Sequence, residues 1–189
     1  MTLSGRQSES RERAALLAFF LPLTRRTCEE LALGDATVAA YLADVLAEFA
    51  RSDRLYRIQA PGGRRLTSVI EMLTSTRTLP GREGERAFHR YLGDYTLFMS
   101  GLFRPFVERD GHLGWYLSEG ARAYARVAEL GGEQRRERTL YEELAARFEY
   151  YAGALDYLRK VRFPGLAGPD PIAAFLREVA AVIGGPSRN

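Results

Sequence analysis

Residues 83–106 read EGERAFHRYLGDYTLFMSGLFRPF, and this stretch decides the fold. Before Gly93 its apolar residues, Phe88, Tyr91 and Leu92, fall on one helical face. After Gly93 the run Leu97, Phe98, Met99, Leu102 and Phe103 leaves little polar surface. A helix that is apolar on most sides is buried on most sides, so this one is expected to run through the centre of a bundle. Pro105 lacks an amide N–H and ends or kinks it.

Helical spacing extends outward in both directions. Toward the N-terminus, residues 1–10 are polar and predict a flexible end. A first short helix is expected over about 11–20, stopping near Pro22, and a second over 22–33, with Gly34 in its left-handed C-terminal position. Asp35 then caps a third helix, whose buried stripe is Val38, Leu42, Val45, Leu46 and Phe49. Strands are plausible only at 55–66, where alternation around Ala60-Pro61-Gly62-Gly63 gives a short hairpin or an irregular loop. Ser68-Val69-Ile70-Glu71 has the form of a capping box and starts a short helix. A linker over 79–84 leads into the aromatic helix.

Toward the C-terminus, a helix is expected over 114–130, with Leu113, Leu117, Tyr124 and Val127 facing inward and Gly131-Gly132 ending it. The longest helix follows, from Glu133 to about Val161, with Leu140, Leu144, Phe148, Tyr151, Leu155 and Leu158 as its stripe. Asp170-Pro171 supplies an N-cap with proline at the first helical position, and Gly184-Gly185-Pro186 closes the last helix. The reading is an all-α, single-domain, antiparallel-rich bundle of six to eight helices over residues 11–185.

Composition narrows the function classes. The chain has 189 residues, enough to bury a core without staples. Its single cysteine, Cys28, rules out an intrachain disulfide and a CxxC metal site, and fits a reducing compartment. Lys160 is the only lysine among 27 basic residues, which reads as the codon bias of a GC-rich bacterial genome. Acids alternate with these arginines, as on a solvated helix face, so nucleic acid is an unlikely partner. The densest basic run, Arg51, Arg54, Arg57, Arg64 and Arg65, surrounds the hairpin-or-loop. No apolar run reaches the ~20 residues a membrane span requires. Arg11 and Arg13 precede a short apolar run, but Thr24-Arg25-Arg26 stands where a signal cleavage site needs small neutral residues. A cytoplasmic location is expected.

No phosphate-binding loop, nucleophile elbow or dinucleotide fingerprint is present. The two histidines, His89 and His112, each follow an acid by four residues, Glu85 and Glu108, rather than in the Glu-x-x-His order of di-iron bundles. No metal site is assigned. Cys28 reads as a small buried hydrophobe.

The sharpest candidate is Asp94. It follows Gly93, lies one turn before Phe98 and shares a face with Gly101. A buried carboxylate there needs a partner. Arg90 stands at i−4, the less favourable order on a helix, so a distant arginine, a tyrosine or a ligand are the alternatives. Glycine weakens a helix interior by about 1 kcal/mol relative to alanine, so Gly93, Gly101 and Gly120 each call for a packing or ligand reason. Tyr91, Tyr95, Trp115, Tyr116, Tyr124, Tyr150 and Tyr151 are either core or the lining of a pocket. The ligand-binding set to test is His89, Gly93, Asp94, Tyr95, Gly101 and Tyr124, with no catalytic residue assigned and no cofactor specified.

The string Arg90-Tyr91-Leu92-Gly93-Asp94 resembles the distal-helix motif of haem oxygenases. The resemblance implies that Gly93 lets the helix approach haem and that Asp94 orders distal water. The chain departs from that family in having no histidine before His89 to serve as proximal ligand. Thr96-Leu97-Phe98 also displace the second glycine. The longer string through Ser100-Gly101-Leu102-Phe103 is similar to an uncharacterised bacterial all-helical family, which supplies no function. Two functional expectations follow: a non-catalytic module binding a protein partner, a second copy or an apolar small molecule, and a haem- or metal-dependent helical enzyme or carrier of haem-oxygenase-like shape.

Overall fold

The structure, a computed structural model, describes residues 3–51, 81–131, 135–167 and 171–184. The short helix at Ser68 and the hairpin-or-loop at 55–66 lie outside the described residues. Among the described residues there are eight α-helices and no strand, an all-α bundle as the apolar periodicity predicts. They are α1 (Leu3–Glu30), α2 (Ala36–Phe49), α3 (Gly81–Leu102), α4 (Arg104–Arg109), α5 (Leu113–Leu130), α6 (Arg135–Ala146), α7 (Phe148–Arg162) and α8 (Pro171–Gly184). A 3-10 turn spans Pro164–Ala167. No described helix is long and apolar enough to cross a membrane.

The described residues fall into two compact units. The first comprises 3–51, 157–167 and 171–184. Here α1 packs on α2. The two helices expected on either side of Pro22 are one helix, with the proline inside it. The reason is a single buried stripe, Leu16, Phe20, Thr24, Thr27 and Cys28, that runs past the proline without changing face. Pro22 costs a helix about 3 kcal/mol. Burying five side chains on α2 and its neighbours exceeds that cost, at about 1.5–3 kcal/mol for each large apolar one. Inside the stripe, the Thr24 hydroxyl donates to the Ala39 carbonyl at 2.8 Å, so its polar atom is satisfied in the core.

The end of α1 is a Schellman motif. The Leu33 amide donates to the Cys28 carbonyl at 2.9 Å and the Ala32 amide to that of Glu29 at 3.2 Å. This puts Ala32, at φ 49°, in the C′ position expected of Gly34, which itself has φ 65°. Asp35 caps α2 as its sequence position predicts: its Oδ1 accepts from the Thr37 amide at 2.8 Å and the Val38 amide at 3.0 Å. All five predicted stripe residues of α2 are buried.

The second unit comprises 81–131 and 135–156. Its centre is α3. From Tyr91 to Phe103 every residue except Asp94 is buried. The expected linker residues 81–84 are instead the first turn of α3, where Glu83 suits the positive end of the helix dipole. Helix α5 packs along α3. Its buried face is Tyr116, Glu119, Gly120, Ala123, Tyr124 and Val127, while Leu113 and Leu117, expected inside, are only half-buried. The rotation follows from close approach: Gly120 lets Thr96 and Phe148 come against the α5 backbone, and that face wins over the leucine face.

The expected long helix over 133–161 divides at Arg147 into α6 and α7. The break is slight, since the Arg147 amide still reaches the Glu143 carbonyl at 3.1 Å and the Tyr151 amide that of Arg147 at 3.2 Å. Residues of α7 through Asp156 belong to this unit and those from Tyr157 to the other. Within the first unit, α8 starts at Pro171, as proline at the first helical position predicts, and buries Phe175 and Val179.

Candidate functional site

The predicted residues Gly93, Asp94 and Tyr124 come together where α3 crosses α5. Tyr124 is wholly buried. Its ring lies flat against the α3 backbone at Gly93: a Cβ placed on Gly93 would stand 2.6 Å from two ring carbons. The same side chain carries its hydroxyl to the next residue, donating to Asp94 Oδ1 at 2.8 Å. Asp94 Oδ2 faces Arg90 Nε at 3.7 Å. Its side chain is 13% exposed against 49% for Arg90, so the buried partner is the tyrosine and the ion pair is its wet edge. Both the local arginine and the distant tyrosine allowed by the sequence are used.

Behind Tyr124, the rings of Tyr141 and Phe148 each lie 5.7 Å away, centroid to centroid. Phe148 also covers Gly120, where an added Cβ would meet Phe148 and, at 2.5 Å, the Thr96 hydroxyl. The Thr96 hydroxyl donates to the carbonyls of Leu92 and Gly93, so the α3 backbone beside the glycine is satisfied from within. Gly101, the third glycine of the set, is filled from another side by the Leu155 side chain of α7.

His89 and Tyr95 stand apart from this cluster. His89 Nε2 lies 3.9 Å from Glu85 Oε1, and Nδ1 is buried with no hydrogen-bond partner among the described residues. Burial pushes the His89 pKa below the usual histidine value; Glu85 opposes the shift and Arg126 adds to it. Glu85 is itself held by Arg126, whose Nε and Nη2 donate at 2.9 and 2.7 Å. Tyr95 stacks on Tyr91 with centroids 6.3 Å apart and approaches Tyr116 at 6.4 Å. Burial raises the Tyr116 hydroxyl above the usual tyrosine value, partly offset by a hydrogen bond with Tyr95. Of the other aromatics, Trp115 and Tyr150 are exposed.

Cys28 is buried, and desolvation, with Glu29 nearby, pushes its thiol pKa up, away from a reactive thiolate. His112 is exposed at the start of α5, after Gly111 at φ 73°, while Glu108 pairs with Arg104 at 2.9 Å. Among the described residues, no three His, Cys, Asp or Glu side chains gather to hold a metal ion. Long-range ties that sequence could not disclose complete the region. Arg86 pairs with Glu137 at 2.6 Å while its guanidinium lies 5.8 Å over the Tyr141 ring, and the Tyr151 hydroxyl donates to Glu143 at 2.6 Å. These pairings span tens of residues or depend on a ring's position, and no local spacing marks them.

Two surface grooves, one at the α1–α2 turn beside Cys28 and one between α5 and α6, include none of the six predicted residues. No protein-family model, no curated protein and no solved structure matches this chain. Haem would need the faces of Gly93 and Gly101 open, and these are filled by Tyr124 and Leu155. The residues present do not fit that group at this place.

Proposed function

We propose that this chain is a non-catalytic binding or protein-interaction module acting in the cytoplasm of a bacterium. One observation carries the reading: the residues best suited to chemistry are consumed in holding helices together. Gly93 seats a ring, Tyr124 supplies that ring and a hydroxyl, and Asp94 receives the hydroxyl. A site meant for a ligand keeps such polar groups turned toward a concave space. What remains for function is the helical surface, which suits a protein partner or a second copy. The single buried cysteine supports a reducing compartment.

The competing reading, a haem- or metal-dependent helical protein, is tested with purified full-length chain from iron- and haem-replete cells. The expected outcome is no stoichiometric metal and no Soret shift on titration with hemin. A one-to-one hemin complex that is abolished by Asp94→Asn would overturn the proposal.

A further inference from the structure

The groove between α5 and α6 has a floor of alanines and a charged rim. Ala121, Ala125 and Ala128 line it from α5, and Ala145 and Ala146 from α6. Its volume is about 740 Å³. Arg122 and Glu129 stand on the α5 side, Arg138 and Glu142 on the α6 side. The rim side chains are 73%, 65%, 55% and 56% exposed respectively, so all four reach solvent.

The arrangement of these signs identifies an occupant. Tyr124 lies beside Tyr141, and the two helices run antiparallel, α5 ending at Gly131 next to the start of α6. Arg122 and Glu142 therefore lie toward one end of the groove, Glu129 and Arg138 toward the other. At a rise of about 1.5 Å per residue, Arg122 and Glu129 are about 10 Å apart along α5. The α5 wall reads plus then minus, and the α6 wall minus then plus. A pattern with this symmetry is its own complement. A two-fold axis lying across the groove sets Arg122 against Glu129 of the partner subunit. An axis lying along the groove sets Arg122 against Glu142 of the partner subunit. Both pair opposite charges, as an isologous contact requires. A second copy matches this neutral rim about either of these two axes.

We infer that the α5–α6 groove is the contact by which two copies of this chain associate. The inference rests on the interaction-module reading above and names its partner. The face is small. Twelve residues of α6 give a length of about 18 Å, and two helices a width of about 20 Å, well under the ~800 Å² per partner of a standard interface. A dimer on so small a face is weak and reversible. In the free chain Glu129 pairs with Arg126 and Arg138 with Glu142 on the exposed surface, where such pairs exchange at little cost, while Arg122 also holds the buried Glu119.

Sedimentation velocity on the full chain, from about 1 to 200 µM in low and high salt, tests this. The expected result is a concentration-dependent dimer that weakens with salt. Ala125→Arg, which fills the groove floor, and Glu129→Arg, which acts twice by symmetry, should each weaken it on the order of tenfold or more. Circular dichroism should show both variants folded. Adding Arg122→Glu to Glu129→Arg should restore association if the axis lies across the groove; adding Arg138→Glu should do so if it lies along it. A monomer throughout overturns the inference, and a foreign protein as occupant would give that result while leaving the interaction-module reading standing. A dimer indifferent to both single variants, or rescue by neither double variant, overturns it as well. Stoichiometric hemin binding would instead strike at the reading beneath it.

Discussion

Replacing Gly93 with alanine adds one methyl group where the structure has none to spare. The new Cβ would stand 2.6 Å from two carbons of the Tyr124 ring and 3.1 Å from a third. Ordinary contact between carbons is about 3.5–4.0 Å, so something must move by roughly 1 Å. Tyr124 is poorly placed to yield: it is fully buried, backed by Tyr141 and Phe148, and tethered through its hydroxyl to Asp94. Overpacking of this kind costs about 1–3 kcal/mol, and the pinned ring argues for the upper half. Alanine returns about 1 kcal/mol of helix propensity. The net loss is about 1–2 kcal/mol, a fall in Tm of about 2–8 °C for a chain of this size. Urea denaturation of Gly93→Ala in the wild-type and in a Tyr124→Ala background checks it. Without the ring, the same methyl should stabilise, so the sign of the effect reverses between backgrounds. A Gly93→Ala variant more stable than wild type with Tyr124 intact would refute the ring-against-backbone packing.

Two further outcomes test other parts of the account. Ala32 occupies a left-handed position at φ 49°, so Ala32→Gly should stabilise by up to about 1 kcal/mol and raise Tm by about 1–4 °C; a lower Tm would deny the Schellman ending of α1. His89 has its pKa lowered by burial, so between that value and about 6.5 the unfolded chain binds more protons than the folded one. Its contribution to stability is therefore lost as pH falls below about 6.5. His89→Gln should flatten the decline in Tm between about pH 7.5 and 5.5, and an unchanged slope would place His89 in solvent.

Much of this architecture is legible in local spacing. The α2 cap and stripe, the proline start of α8 and the all-round burial of α3 each follow from periodicity and capping chemistry within a dozen residues. Pro22 misleads because the stripe of α1 includes Thr24 and Thr27, polar residues that an apolar count passes over but that the core accepts. The α5 face misleads because glycine and alanine carry no hydrophobic signal, yet Gly120 and Ala123 permit the closer approach. At the candidate site the sequence shows that Gly93, Gly101 and Gly120 need a reason and that Asp94 needs a partner. It cannot show that Tyr124, thirty residues on, answers both for Gly93 and Asp94, because that pairing depends on how α3 and α5 are placed side by side. The same Gly-Asp pair that resembles a haem-oxygenase helix is here accounted for by one tyrosine.

Thermal unfolding of Asp94→Asn beside wild type tests the central claim, that Asp94 serves helix packing. The carboxylate accepts the Tyr124 hydroxyl and faces Arg90, so losing its charge weakens one part-buried charge-assisted hydrogen bond and one partly wet ion pair. The account predicts a loss of about 1 kcal/mol, a Tm lower by about 2–4 °C, and unchanged behaviour toward any partner or added hemin. An equal or higher Tm, accompanied by loss of a bound ligand, would contradict it, because groups kept for function rather than packing are those whose removal leaves the fold as stable or more so.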